Sequence, residues 1–104
     1  MEIALGEVSV EDLGALCLKW RISRLALFGS ALSGQLGPDS DIDLLVEFEP
    51  EEQWSLLDLV RAEAEFADLF GRRVDLVDKR SLERSSNWIR RREILESAEE
   101  IYAA

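Results

Sequence analysis

No stretch of the 104 residues approaches the ~20 consecutive apolar residues of a membrane-spanning helix, so no helical anchor is expected in this sequence. The opening MEIALGEVSVEDL lacks the basic and apolar regions of a secretory signal, and the expected location is the cytoplasm. Cysteine is nearly missing. Cys17 has no second cysteine in the chain to pair with and lies in a helical stretch, where it is expected to serve as a small buried hydrophobe. Basic residues are scarce as well: 12 Lys and Arg against 22 Asp and Glu give a formal charge of -10. That balance excludes a protein that grips nucleic acid by neutralising its backbone. It does not exclude a nucleotide, whose phosphates can be held by metal ions, backbone N–H groups and a few local arginines.

Proline occurs only at Pro38 and Pro50, both in turns, and no repeat or linker divides the chain. An apolar fraction of 47% and a charged fraction of 33% are those of a soluble globular protein, so one domain over residues 1–104 is expected. Ser9, followed by Glu11 and Asp12, reads as the N-cap and acidic first turn of a helix running to about Trp20, with Leu13, Leu16 and Cys17 inward. Residues 22–28 read as a strand ending at Gly29. Residues 41–48 read as a second, apolar enough to be covered on both faces. Residues 51–70 read as a long helix closed by Gly71, with Leu56, Leu57, Val60, Ala64, Ala67 and Phe70 as the stripe against the sheet. Leu59, Phe66 and Leu69 lie beyond that stripe, as a broader core face or a seam for a partner. Residues 74–77 form a third strand. Residues 87–102 read as a last helix anchored by Trp88, Ile89, Leu95 and Ile101. The fold class is therefore α/β (α+β): a small mixed sheet flanked by helices.

Against this background the segment GSALSGQLGPDSDIDLLVEF stands out, because Asp41 and Asp43 open a strand that is otherwise apolar. Alternation along a strand puts both carboxylates on one face and Ile42 on the other. Paired carboxylates repel one another and are costly to desolvate unless a cation offsets the cost, and their hard oxygens suit Mg²⁺ or Mn²⁺. Asp75, in RRVDLVD, is again an acid among apolar neighbours. If its strand lies beside residues 41–48, three carboxylates converge, an arrangement able to clamp two divalent ions for phosphoryl or nucleotidyl transfer. Gly29-Ser30, directly after the first strand, is a turn whose N–H groups and hydroxyl can approach a phosphate.

Taken together, the Gly-Ser turn, the Asp-x-Asp strand and the later Asp resemble the minimal nucleotidyltransferases, the MNT domains of the DNA polymerase beta superfamily, over nearly the whole chain. The resemblance implies two Mg²⁺ ions on Asp41, Asp43 and Asp75, and Gly29 and Ser30 at the triphosphate of ATP. It further implies a HEPN-domain toxin as partner, neutralised by transfer of AMP to one of its tyrosines, so that the chain acts as an antitoxin in a hetero-oligomer. One position departs from the family's Gly-Ser-x-Ala-Arg-Gly: this chain reads Gly29-Ser30-Ala31-Leu32-Ser33-Gly34, with Ser33 in place of the arginine, so a charge-assisted phosphate contact is missing there. Arg72 and Arg73 before the third strand, or Arg90, Arg91 and Arg92 on the last helix, could replace it; the last three read as a solvated helix face. Two other functions fit the same residues. One is a binding module that silences the toxin by complex formation alone, and the other is the nucleotide-binding subunit of a small-molecule nucleotidyltransferase.

Overall fold

The structure is a computed structural model, and it describes residues 8–29, 41–50 and 54–104. Ser30 and the segment 31–40, expected from its glycines to be the most mobile interior loop, lie outside the described residues.

Helix α1, Val10–Lys19, starts where the sequence places it. The Ser9 hydroxyl accepts the Asp12 N–H at 3.3 Å, and Glu11 and Asp12 oppose the positive end of the helix dipole. Leu13 and Cys17, one turn apart, are buried, and burial pushes the Cys17 thiol up to about 12, so it remains a neutral packing group. Arg21, at φ 55°, turns the chain into β1, Ile22–Phe28.

Strand β1 runs antiparallel to β2, Ile42–Phe48. From β2 the chain crosses through α2, Leu56–Phe70, into β3, Val74–Asp78, which lies parallel to β2. Helix α2 begins with a capping box in which Ser55 and Asp58 satisfy each other's backbone N–H groups, and it ends at Gly71 in the left-handed conformation at φ 69°. It thus starts later than position 51, at the first residue able to cap it.

The expected inward stripe of α2 holds only at its C-terminal end, where Ala67 and Phe70 pack on the core; at the N-terminal end it faces outward. Leu56, Leu57 and Val60 are exposed, whereas Ala62 and Phe66 are fully buried. Apolar residues occur at helical spacing on two faces of this segment, so periodicity alone cannot choose between them. The face carrying the small Ala62 lets the helix approach the sheet closely enough to bury Phe66, which stacks on Phe70 at 6.5 Å between ring centroids.

After β3 the chain forms a short helix, α3 (Lys79–Glu83), that the sequence analysis does not anticipate; Asp78 caps it by accepting the Arg80 N–H at 3.2 Å. Helix α4, Trp88–Ser97, follows, with Asn87 as its cap. The expected helix over residues 87–102 stops at Ser97. Residues Glu99–Ala103 form β4, antiparallel to the free side of β1. Glu and Ala favour a helix here, but pairing with β1 and burial of Ile101 outweigh that preference. Of the expected anchors, Trp88, Ile89 and Leu95 are exposed and only Ile101 is buried, from β4; the buried residue of α4, Ile94, is not among them.

The sheet order is β3-β2-β1-β4, with mixed direction as expected. One face, carrying Ile42, Leu44 and Val46, packs with Leu13, Cys17, Ala62 and Phe66 from α1 and α2. The other face carries Leu45 and Phe28 and packs with Leu82 of α3 and Ile94 of α4. No helix among the described residues is long and apolar enough to cross a membrane.

Candidate active site

Parallel pairing of β2 and β3 sets Asp43 directly opposite Asp75, and Asp41 stands just before β2, where the Ile42 N–H donates to the Arg73 carbonyl at 2.9 Å. Because Ile42 and Leu44 fill the α1/α2 core, alternation turns Asp43 to the opposite face, the one covered by α3 and α4. The expected convergence is met to this extent. Asp43 is half-buried, while Asp41 and Asp75 are exposed, and among the described residues no three acidic, His or Cys groups already stand as a finished metal cage.

The electrostatics follow from this placement. Burial holds the Asp43 carboxyl above the usual carboxylate range, and the negative charges of Asp75 and Asp41 push it the same way. The Arg90 guanidinium pulls it back down. An ionised Asp43 is thus short of positive charge despite Arg90, and the oxygen donors beside it are the carboxylates of Asp75 and Asp41. That donor set fits a hard divalent cation such as Mg²⁺.

Gly29 meets the site from β1. Its neighbour Phe28 pairs with Asp43 across the ladder, and a Cβ on Gly29 would collide with Asp43 Oδ2 and lie 3.3 Å from Asp43 Cγ. Its φ of 74° is also one that L side chains rarely adopt. Two independent constraints therefore call for glycine here. Gly29→Ala is expected to destabilise the fold by about 1–2 kcal/mol through the left-handed backbone alone, and to displace the Asp43 carboxylate. Chemical denaturation should register the first effect and a shifted Asp43 carboxyl resonance in NMR spectra the second.

On the outer side of β3, the Glu63 carboxylate accepts the Leu76 N–H at 3.0 Å. A groove lined by Asp41, Asp75, Arg73, Glu63, Val60 and Ala64 opens there between α2 and the strand ends. No sequence pattern singles out Glu63, whose role depends on α2 lying along the edge of β3. Arg90 is exposed, as its place on a solvated face implies, but it lies one turn before the buried Ile94 and its charge reaches Asp43.

Comparison with known proteins places the fold. The nucleotidyltransferase domain family matches residues 13–101. The protein adenylyltransferase MntA of Thermococcus cleftensis is 42% identical over 64 residues, which is 62% of this chain and 63% of that protein, so the match spans less than two thirds of its length. The structure of a minimal nucleotidyltransferase superimposes with a TM-score of 0.66 at 34% identity, covering 86% of each chain. A complex of the tri-AMPylated HEPN toxin of Shewanella oneidensis with its MNT antitoxin gives a TM-score of 0.62 over 91% of this chain and 70% of that one, at 18% identity, a likeness of fold. A Gly-ended strand beside registered carboxylates, on a fold shared with these proteins and within a matched span of 13–101, leaves one assignment: the chain belongs to the nucleotidyltransferase domain family.

Proposed function

We propose that this protein transfers AMP from ATP to a hydroxyl of a partner protein, and that the partner is a HEPN toxin whose tyrosine receives it. The observation that carries this reading is the lateral pairing of Asp43 with Asp75, with Asp41 at the mouth of the same strand and Gly29 backing the Asp43 carboxylate. The adenylyltransferase name of a relative 42% identical to it, and the AMPylated toxin in a complex of the same fold, support the choice of nucleotide and partner.

Asp41, Asp43 and Asp75 would hold Mg²⁺, which neutralises triphosphate charge when bound. In the transfer the partner's hydroxyl oxygen forms a bond to the α-phosphorus, the bond from that phosphorus to the bridging oxygen breaks, and pyrophosphate leaves. The hydroxyl proton is released beside the exposed carboxylates Asp41 and Asp75. Ser30 follows Gly29 in sequence and is assigned to the triphosphate with it.

A protein acceptor is favoured over a small molecule by the surface next to the acids. The outward residues of α2, Leu56, Leu57 and Val60, continue into the groove that Asp41 and Asp75 line, so a chain seated on that apolar face reaches the site. This replaces the seam suggested by Leu59, Phe66 and Leu69, since Phe66 belongs to the core. The test is to incubate a HEPN toxin with wild-type protein, ATP and Mg²⁺ and weigh the products. A gain of ~329 Da per transfer, the mass of an added AMP group, is expected on the partner's tyrosine. A silenced but unmodified partner would instead establish neutralisation by binding alone.

A further inference from the structure

Arg90, Arg91 and Arg92 are consecutive, yet the structure gives them three different surroundings. The Arg91 Nη1 donates to the carbonyl oxygens of Glu83 at 3.3 Å and Ser85 at 3.2 Å, tying α4 to the turn before it. Arg92 pairs with Glu96 at 3.0 Å one turn along the exposed side of the helix. Arg90 closes no ion pair with a carboxylate among the described residues, and its charge acts on Asp43.

Its position follows from a contact one turn away. Ile94 shares a buried cluster with Leu45, and Leu95 and Ala98 line a groove with Leu45 and Glu47, so the C-terminal half of α4 lies by the later part of β2; Arg90 precedes Ile94 by four residues, on the same side of the helix. Asp43 precedes Leu45 by two residues, which puts both on the same face of β2. Four residues of helix advance about 6 Å and two residues of strand about 6.6 Å, so the two steps nearly match. Running back along α4 from Ile94 therefore carries the exposed Arg90 toward Asp43, on which its charge acts.

A cation in that place works against a site that binds only metal, because it competes for the same carboxylates. It suits a site that must also take up a polyanion, particularly in a chain with Ser33 where the family carries an arginine. Given the reading of Asp41, Asp43 and Asp75 as the nucleotide site, we propose that Arg90 is its phosphate-binding arginine, holding a β- or γ-phosphate oxygen of the incoming ATP. The planar fork of the guanidinium makes paired hydrogen bonds to phosphate that a point charge does not reproduce.

Calorimetric titration of wild type, Arg90→Gln, Arg90→Lys, Arg92→Gln and Asp43→Asn with Mg²⁺ alone, Mg²⁺ plus AMP and Mg²⁺ plus ATP tests the proposal. Loss of a charge-assisted phosphate contact should weaken ATP about tenfold to a hundredfold in Arg90→Gln and leave AMP within about threefold. Arg90→Lys should fall between Arg90→Gln and wild type. Mg²⁺ alone should bind Arg90→Gln as well as wild type or more tightly, since a repelling charge is gone, and Arg92→Gln should match wild type throughout. Equal weakening of ATP and AMP would make Arg90 a structural residue and overturn the proposal. So would unchanged ATP affinity in Arg90→Gln while Asp43→Asn fails to bind, and there the carboxylate site itself would stand. If Asp43→Asn also binds ATP normally, the nucleotide site lies elsewhere and both readings fall.

Discussion

Under the proposed function, Asp43→Asn is expected to abolish AMP transfer to the partner while leaving the protein folded and able to bind it. Outer-shell partners of a bound metal are commonly worth about 10–100-fold in affinity or activity, so removal of a carboxylate that would ligate the ion should cost at least about a hundredfold. The fold should tolerate the change because the carboxylate is a burden without a cation. Its folded-state pKa is raised, first by burial and then by Asp75 and Asp41, so the ionised form is less stable in the folded chain than in the unfolded one. That penalty is present at neutral pH and disappears as pH falls through the raised value; Asn never incurs it. The metal-free variant should therefore melt at or above the wild-type temperature at pH 7, and the difference should shrink on acidification. Mass spectrometry of the partner reads the first expectation and thermal unfolding the second. Full transfer by Asp43→Asn would move the chemistry to other residues.

The second large effect lies in the core. Phe66→Ala should destabilise the fold by about 3–5 kcal/mol, because the ring is fully buried and its removal leaves a cavity lined by α2 and the sheet. Against a total of about 5–15 kcal/mol for a small domain, that brings the chain close to unfolding. Leu57→Ala, on the opposite side of the same helix at 62% exposure, should stay within about 0.5 kcal/mol of wild type. If Leu57 contacts the partner, this second variant should instead weaken complex formation. Urea titrations of the two variants separate these outcomes, and a stability loss in Leu57→Ala comparable to that of Phe66→Ala would reverse the assignment of the two faces.

What the sequence reveals is strongest where side-chain chemistry conflicts with its surroundings. Asp41, Asp43 and Asp75 are conspicuous because charge interrupts apolar strands, and Gly29 because it ends one; register then brings Asp43 and Asp75 face to face. The three strands and α1 are likewise legible, since their caps and apolar runs are local. The orientation of α2 is not local. With apolar residues on two of its faces, only the fit of Ala62 and Phe66 against the sheet decides which one turns inward. Residues 99–103 look helical by composition and become a strand because the open side of β1 offers backbone partners. The position of Arg90 depends on α4 lying across the sheet, which no pattern within three consecutive arginines conveys.

Closure of β1 by β4 leaves β3 and β4 as the outer strands of the sheet. Unprotected outer strands invite a second chain to extend the ladder, and proteins blunt them with short strands and charge. Both devices occur here. Each outer strand is five residues long; β4 carries exposed Glu99 and Glu100, and β3 has its Leu76 N–H already taken by Glu63. The acidic excess of the chain is thus partly spent on guarding backbone hydrogen-bonding sites, which disfavours self-association through strand addition. A partner is left to engage this protein through side chains on its helices and at the strand ends, not by contributing a strand of its own.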